Sequence, residues 1–342
     1  MNVSKKQLDD AVLHNIITQI EADRLYDFLH VKSEEQPNFS FTHVLYYMGG
    51  LIAIGAMTLF MNLAWESFGG LGIVIISMVY VVIGMLLTNH FALKNLVIPA
   101  GICATFVVCI TPLLIYGIQQ WLGLWPSDNN YQEFHTKIET HWLYMELGTL
   151  VVGILVAVKY KYPFLIMPIA FTLWYLSMDL TVILSGGDED SALRSLVSLY
   201  SGLVMIAVAF WVDVKAHHKA DYAFWLYLFG VIAFWGGFAS IKSDGELDKL
   251  LFFFVNLVLI FIGVILVRKV FTVFGAFGSC NYIGYLAMNI FQDSWLFPVS
   301  LTVLGLGVIY LGIMWHKHEI MITKRVRSFL PQSIRDLLQD KV

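Results

Sequence analysis

The sequence predicts an all-α fold, a polytopic helical membrane bundle of about ten transmembrane helices, and three observations carry that prediction. Of 342 residues, 58% are hydrophobic and 13% charged, and the mean hydropathy is +0.72, against about 25% charged residues in soluble domains. Ten apolar runs recur along the chain, each near the roughly 20 residues that cross a bilayer as a helix. None alternates with period two, and a backbone in lipid must satisfy its polar groups within a helix or a closed barrel, so the runs read as helices. They leave no room for a sizeable soluble catalytic domain. The formal net charge of -4 gives no electrostatic footprint for nucleic acid.

The elements follow in chain order. Residues 1–40 are polar and predict a cytoplasmic helical hairpin that can pack on itself, on the membrane domain or on a cytoplasmic protein partner. Ser4 with Gln7 and Thr18 with Glu21 each fit the capping box, in which a hydroxyl and a carboxyl or amide three residues later satisfy two orphan amides at a helix start. The acids Asp9, Asp10, Glu21, Asp23 and Asp27 disfavour DNA binding by this unit. No cleavable signal peptide is expected, so the first span serves as the insertion signal.

Residues 41–316 form the predicted ten-helix domain, with runs at 43–65, 70–89, 96–123, 142–159, 163–185, 192–212, 221–241, 248–267, 270–291 and 294–315. The third is overlong and carries Pro99 and Pro112, which predicts a kink with Gln119–Trp125 at the interface. Residues 317–342 form a basic tail. Its apolar positions alternate with Lys324, Arg325, Arg327 and Arg335, which suits either an amphipathic helix on an anionic lipid surface or a plain stop-transfer tail. Cys103, Cys109 and Cys280 lie inside apolar runs without metal or redox spacing and read as packing residues.

The charges orient the bundle. With the N-terminus inside, the inner segments hold 17 of the Lys and Arg residues, and the outer ones hold the other four, Lys137, Arg194, Lys242 and Lys249. Positive residues favour the cytoplasmic side, so both termini are expected in the cytoplasm of a multi-pass protein of the cell membrane, the inner membrane of a bacterium. A missed or invented span would scramble this asymmetry.

The stretch LDDAVLHNIITQIEADRLYDFL, Leu8 to Leu29, followed by YMGGLIAIGAMTLFMNLAWESFGGLG, Tyr47 to Gly72, resembles the bacterial predicted-membrane-protein family called domain of unknown function 2157. The resemblance implies a short helical hairpin, then a glycine-rich span closing on Trp65, then further spans. Ala64-Trp65-Glu66 stands where the family pattern has a more polar Asn-Trp pair. It brings no established activity and no catalytic residues.

Ionisable residues within spans are costly in lipid and mark functional candidates. Glu146 near the outer end of the fourth run and Asp179 late in the fifth fall at similar depth in an antiparallel hairpin. Facing each other, two carboxyls relay or share a proton; separately, each finds a hydroxyl, a water, Arg194 or Lys249. Asn256, Asn281 and Asn289 are buried amides suited to interhelical hydrogen bonds, with Asn281 also a candidate transport residue. His135, Glu139 and His141 have spacing compatible with a metal only if the outer loop is helical, and no H-E-x-x-H is present. No cofactor is implied. Gly49 with Ala53, and Ala276, Cys280 and Gly284, follow the small-xxx-small rule for close helix contact. Trp65, Trp121, Trp125, Trp142 and Trp295 fall at outer helix ends, where indoles favour the headgroup region.

Residues 166–173, IMPIAFTL, echo 296–303, LFPVSLTV, five helices later. An odd offset implies a five-plus-five inverted repeat like that of the drug and metabolite transporter superfamily, or only the frequency of proline near helix starts. Three functions fit: a transporter or permease for a small solute or lipid-like substrate, an enzyme acting on a lipid-linked substrate at the outer face, or a regulatory scaffold. Beyond the lipid bilayer, the substrate is unspecified. Reporter fusions at Gly187, His217 and Val342 test the orientation: cytoplasmic activity is expected at His217 and Val342 and external activity at Gly187, and the reverse at any of the three would overturn it.

Overall fold

A computed structural model of the chain describes residues 16–34, 41–125, 140–184, 191–215, 221–241 and 245–290, with scattered positions at either end. All described elements are helical, with no strand among the described residues. The chain divides into two compact units, Met1–Asn62 and Leu63–Val342.

In the first unit, α1 (Gln19–Glu34) starts at the expected capping box. Thr18 N–H donates to Glu21 Oε2 at 2.9 Å, Thr18 Oγ1 donates to the same oxygen at 2.8 Å, and Glu21 N–H donates back to Thr18 Oγ1 at 3.4 Å. These bonds, to the backbone first and the hydroxyl second, hold the Glu21 carboxyl below the usual range. The Ser4–Gln7 box lies outside the described residues. The helix α2 (Phe41–Leu93) runs on from this unit into the second and is broken once, at Gly69 with φ 60 and ψ 172, a conformation essentially restricted to glycine. The expected loop between the first two runs is therefore a single-residue break. Gly49 has nothing within 4 Å of a Cβ, so no close contact of the kind expected is found there among the described residues.

The second unit continues through α3 (Val97–Trp121), α4 (Thr140–Tyr160), α5 (Ile166–Leu184), α6 (Ser191–Lys215), α7 (Phe224–Ser240), α8 (Glu246–Leu266) and α9 (Lys269–Tyr285), which passes into a π-helical turn, Leu286–Ile290. Among the described residues, six segments are long and apolar enough to cross a membrane: Phe68–Leu93, Val97–Trp121, His141–Tyr160, Pro163–Thr181, Ala192–Lys215 and Glu246–Leu266. The runs at 221–241 and 270–291 also fold as helices, of 17 residues each before the π turn. At 1.5 Å per residue such a helix is about 26 Å long, a little short of a hydrocarbon core. The last run lies mostly outside the described residues.

Their surfaces say where these helices live. Ile75 is 56% exposed, Leu86 64%, Val158 68%, Val204 62% and Leu251 57%, far more apolar surface than a protein in water keeps uncovered. This is a multi-pass membrane protein whose outward faces meet lipid.

Glycines set how closely the helices approach. A Cβ on Gly237 of α7 would lie 2.6 Å from Leu199 N and Ser195 O of α6, and Gly202 of α6 meets the Phe234 backbone in return. In the next hairpin, a Cβ on Gly275 of α9 would lie 2.5 Å from Asn256 O of α8, and one on Gly278 would fall on the Asn256 side-chain amide. The small residues that matter on α9 are therefore Gly275 and Gly278. Gly284 has nothing within 4 Å, and Cys280 is exposed.

Asn256 is fully buried. Its Nδ2 donates to Phe252 O at 2.8 Å and its Oδ1 accepts from Trp235 Nε1 of α7 at 3.0 Å, so one amide ties α7, α8 and α9 together in the space Gly278 leaves. Asn281 is exposed, and Asn289, also exposed, donates only to Tyr285 O of its own turn at 3.2 Å among the described residues. Gly278→Ala is expected to lower stability in lipid nanodiscs by about 1–3 kcal/mol, as overpacking does, with Gly284→Ala near neutral. Equal effects of the two in thermal unfolding would show that the Asn256 junction has slack.

Candidate functional site

The helices α3, α4 and α5 run antiparallel in sequence, and the α4–α5 connection is short because Pro163 opens a 3-10 turn, Pro163–Leu165, directly after α4. Lys161 stands in the left-handed region at φ 55 and ends α4; the residue before a proline disfavours helix, so the reversal is fixed locally. A reversal this tight aligns positions at the far end of both helices. Glu146 is six residues inside the start of α4 and Asp179 five before the end of α5, at about 9 and 8 Å along the axes.

The structure places these two carboxyls beside each other, close enough for each to act on the other. Asp179 is 8% exposed. Ionised carboxylates are acceptors only, so with both charged neither has a donor to offer, and Glu146 Oε2 stands as a buried acceptor without a partner among the described residues. One proton between the two groups supplies the missing donor. The arrangement can therefore hold one proton per pair, and its gain or loss changes the charge in this part of the bundle by one.

More acceptors gather at the same end. Gln119 is 6% exposed, where the sequence pointed to an interfacial position, because α3 continues unbroken to Trp121. Gln119 Nε2 donates to His141 O at 3.2 Å, while Gln119 Oε1 and Gln120 Oε1 are buried without a donor among the described residues. Trp125 closes this end over Tyr116 and His141, each with ring centroids at 4.6 Å, and over Trp142 at 5.2 Å. Trp142 is buried in that aromatic cluster, and Trp121, 58% exposed at the helix end, suits the interfacial role.

The other candidate residues are dispersed. Arg194 is exposed in the first turn of α6, and no contact from it to the carboxyl pair is found among the described residues. Lys249 is engaged elsewhere: its Nζ donates to Glu246 Oε1 at 3.0 Å and to Tyr285 OH at 2.5 Å, and Tyr285 OH donates to Glu246 Oε1 at 2.6 Å. Asn281 is exposed on α9. His135, Glu139 and the basic residues Lys324, Arg325, Arg327 and Arg335 lie outside the described residues. Among the described residues no group of three or more His, Cys, Asp or Glu could hold a metal.

A second polar cluster, missed in the sequence, sits at the opposite end. Arg268, 8% exposed between α8 and α9, donates from its second terminal nitrogen to Asp213 Oδ1 at 2.6 Å and from Nε to Asp213 Oδ2 at 3.2 Å. Its other terminal nitrogen donates to Asp221 Oδ2 at 2.5 Å. Its guanidinium lies 5.3 Å over the Tyr227 ring, and Tyr227 OH donates to Asp213 Oδ2 at 3.4 Å. Burial alone would pull the guanidinium down; the hydrogen bonds and charges of Asp221 and Asp213 outweigh that and hold it above its ordinary value. The available signal was the sign of charge, since Asp213 and Asp221 are acids in a segment counted as basic.

Single and double substitutions Glu146→Gln and Asp179→Asn test the contact. Residues in one hydrogen-bonded pair are expected to show coupling of about 0.5–3 kcal/mol in unfolding, whereas additivity within about 0.5 kcal/mol would mean the groups do not touch. In comparisons with known protein families, curated proteins and solved structures, no match to this chain was found.

Proposed function

We propose that this chain is a ten-span transporter or permease for a small solute or lipid-like substrate, in which Glu146 and Asp179 take up and release a proton or cation as the protein works. The observation that carries the reading is the proximity of two carboxyls on adjacent apolar helices. Carboxyls are expensive within spans, and a packing role is served as well by the hydroxyls that the same helices already use. Thr149 and Thr172, for example, donate to Met145 O at 2.6 Å and Pro168 O at 2.8 Å. The reading sets both termini in the cytoplasm of a bacterium, with the pair in the outer half of the membrane. It takes the N-terminal resemblance as kinship with domain of unknown function 2157, residues 1–40 as a platform for a cytoplasmic partner, and the basic tail as a lipid-surface helix.

The five-plus-five repeat belongs to the same proposal. Thr302 Oγ1 donates to Pro298 O at 2.8 Å, as Thr172 does to Pro168 O in the echoed segment. Thr88, Thr105, Thr111 and Thr181 make the same bond four residues back, so this likeness is a property of threonine in apolar helices and adds no weight.

Proteoliposomes carrying an imposed pH gradient test the proton role. The wild type is expected to dissipate the gradient faster than Glu146→Gln and Asp179→Asn, with each single variant as impaired as the double. Rates equal to wild type in both variants, with the proteins inserted and folded, would remove the pair from function.

A further inference from the structure

We propose that Arg268, Asp213 and Asp221 form a latch that fastens the α8–α9 hairpin to the α6–α7 hairpin at one end of the bundle and releases to let the two slide. Within α6–α7 and within α8–α9, backbones touch at glycines: Gly202, Gly230 and Gly237 in the first, Gly263 and Gly275 in the second. Backbone packed on backbone leaves no side chain to repack, so each hairpin is a stiff body.

Between the hairpins the contacts are of another kind. Phe238 stacks on Phe252 at 5.5 Å, Trp235 meets Phe274 at 5.9 Å and Phe277 at 5.5 Å, and Tyr227 lies edge-on to Phe271 at 5.4 Å. Aromatic faces and edges permit the small sliding steps of a shear motion. Two polar ties cross this interface among the described residues, Trp235 to Asn256 within the spans and the Arg268 cluster at the end.

The cluster is built to hold and to let go. Asp213 sits in the last turn of α6 and Asp221 just before α7, where its Oδ1 also accepts the Phe224 N–H at 3.1 Å. One guanidinium thus grips both ends of the α6–α7 connection. Asp213 and Arg268 are enclosed, with side chains 10% and 9% exposed, but Asp221 is 50% exposed, so water replaces Arg268 there at little cost. Arg268 is itself presented by Val267, a β-branched residue at φ 55, a backbone state that the surrounding structure must enforce. Buried ion pairs give little net stability over apolar side chains, so a latch explains the cluster better than a staple does.

Hydrogen exchange of the full chain in nanodiscs tests this without any transport assay, so failure here leaves the carboxyl-pair reading untouched. Asp221→Asn, at the half-exposed partner, and Arg268→Gln are compared with wild type. Release predicts at least fivefold faster exchange at 222–225 and 267–271 in both variants, with α4 and α5 unchanged. Unchanged exchange in Asp221→Asn, or a uniform rise through all the helices in either variant, would overturn the latch. Should Arg268→Gln fail to fold, Asp221→Asn decides alone.

Discussion

Hydrocarbon offers a carboxyl, an amide or a guanidinium no hydrogen-bond partner, and this constraint organises the whole structure. Threonines answer it locally, each donating to a carbonyl one turn back, as Thr105 does to Gly101 O at 2.9 Å. Asn256 answers it across three helices, its amide lodged where Gly278 has no side chain. Glu146 and Asp179 answer it by meeting each other, and Arg268 by gathering two aspartates and a tyrosine.

These solutions differ in what they permit. A threonine bonded to its own helix is indifferent to its neighbours, and Asn256 is confined by backbone on one side and an indole on the other. A pair of carboxyls is different in kind, because any hydrogen bond between the two requires a proton. The ionic cluster is different again, because one of its acids already faces water. The acidic pair and the ionic cluster thus lie toward the ends of the spans, and the Asn256 junction lies among the glycines between them.

Much of the architecture was legible because a bilayer imposes a length. Runs 96–123, 142–159, 163–185, 192–212 and 248–267 became helices nearly at the bounds the apolar stretches suggested. Depth was legible too: counting residues from Pro163 put Glu146 and Asp179 at one level. Facing was not, since each residue turns a helix by about 100° and adjacent positions point to different neighbours. That is why Ala276, Cys280 and Gly284 looked like the contact row of α9, when Gly275 and Gly278 meet α8. The Arg268 cluster escaped for a related reason: charges counted by loop carry a sign but no partner, and the acids at 213 and 221 became informative only once α8 brought an arginine between them. The break at Gly69 falls in the gap between the runs 43–65 and 70–89, but that it spans one residue had no signal in the sequence.

The account stands on the claim that two carboxyls within the spans hold one proton between them. Infrared spectroscopy of the protein in bilayers reads it directly, because a protonated carboxyl has a carbonyl stretch that a carboxylate lacks. The account predicts a protonated-carboxyl band in the wild type that shifts or disappears in Glu146→Gln and likewise in Asp179→Asn. A wild-type spectrum indistinguishable in that region from the spectrum of the double variant would contradict it.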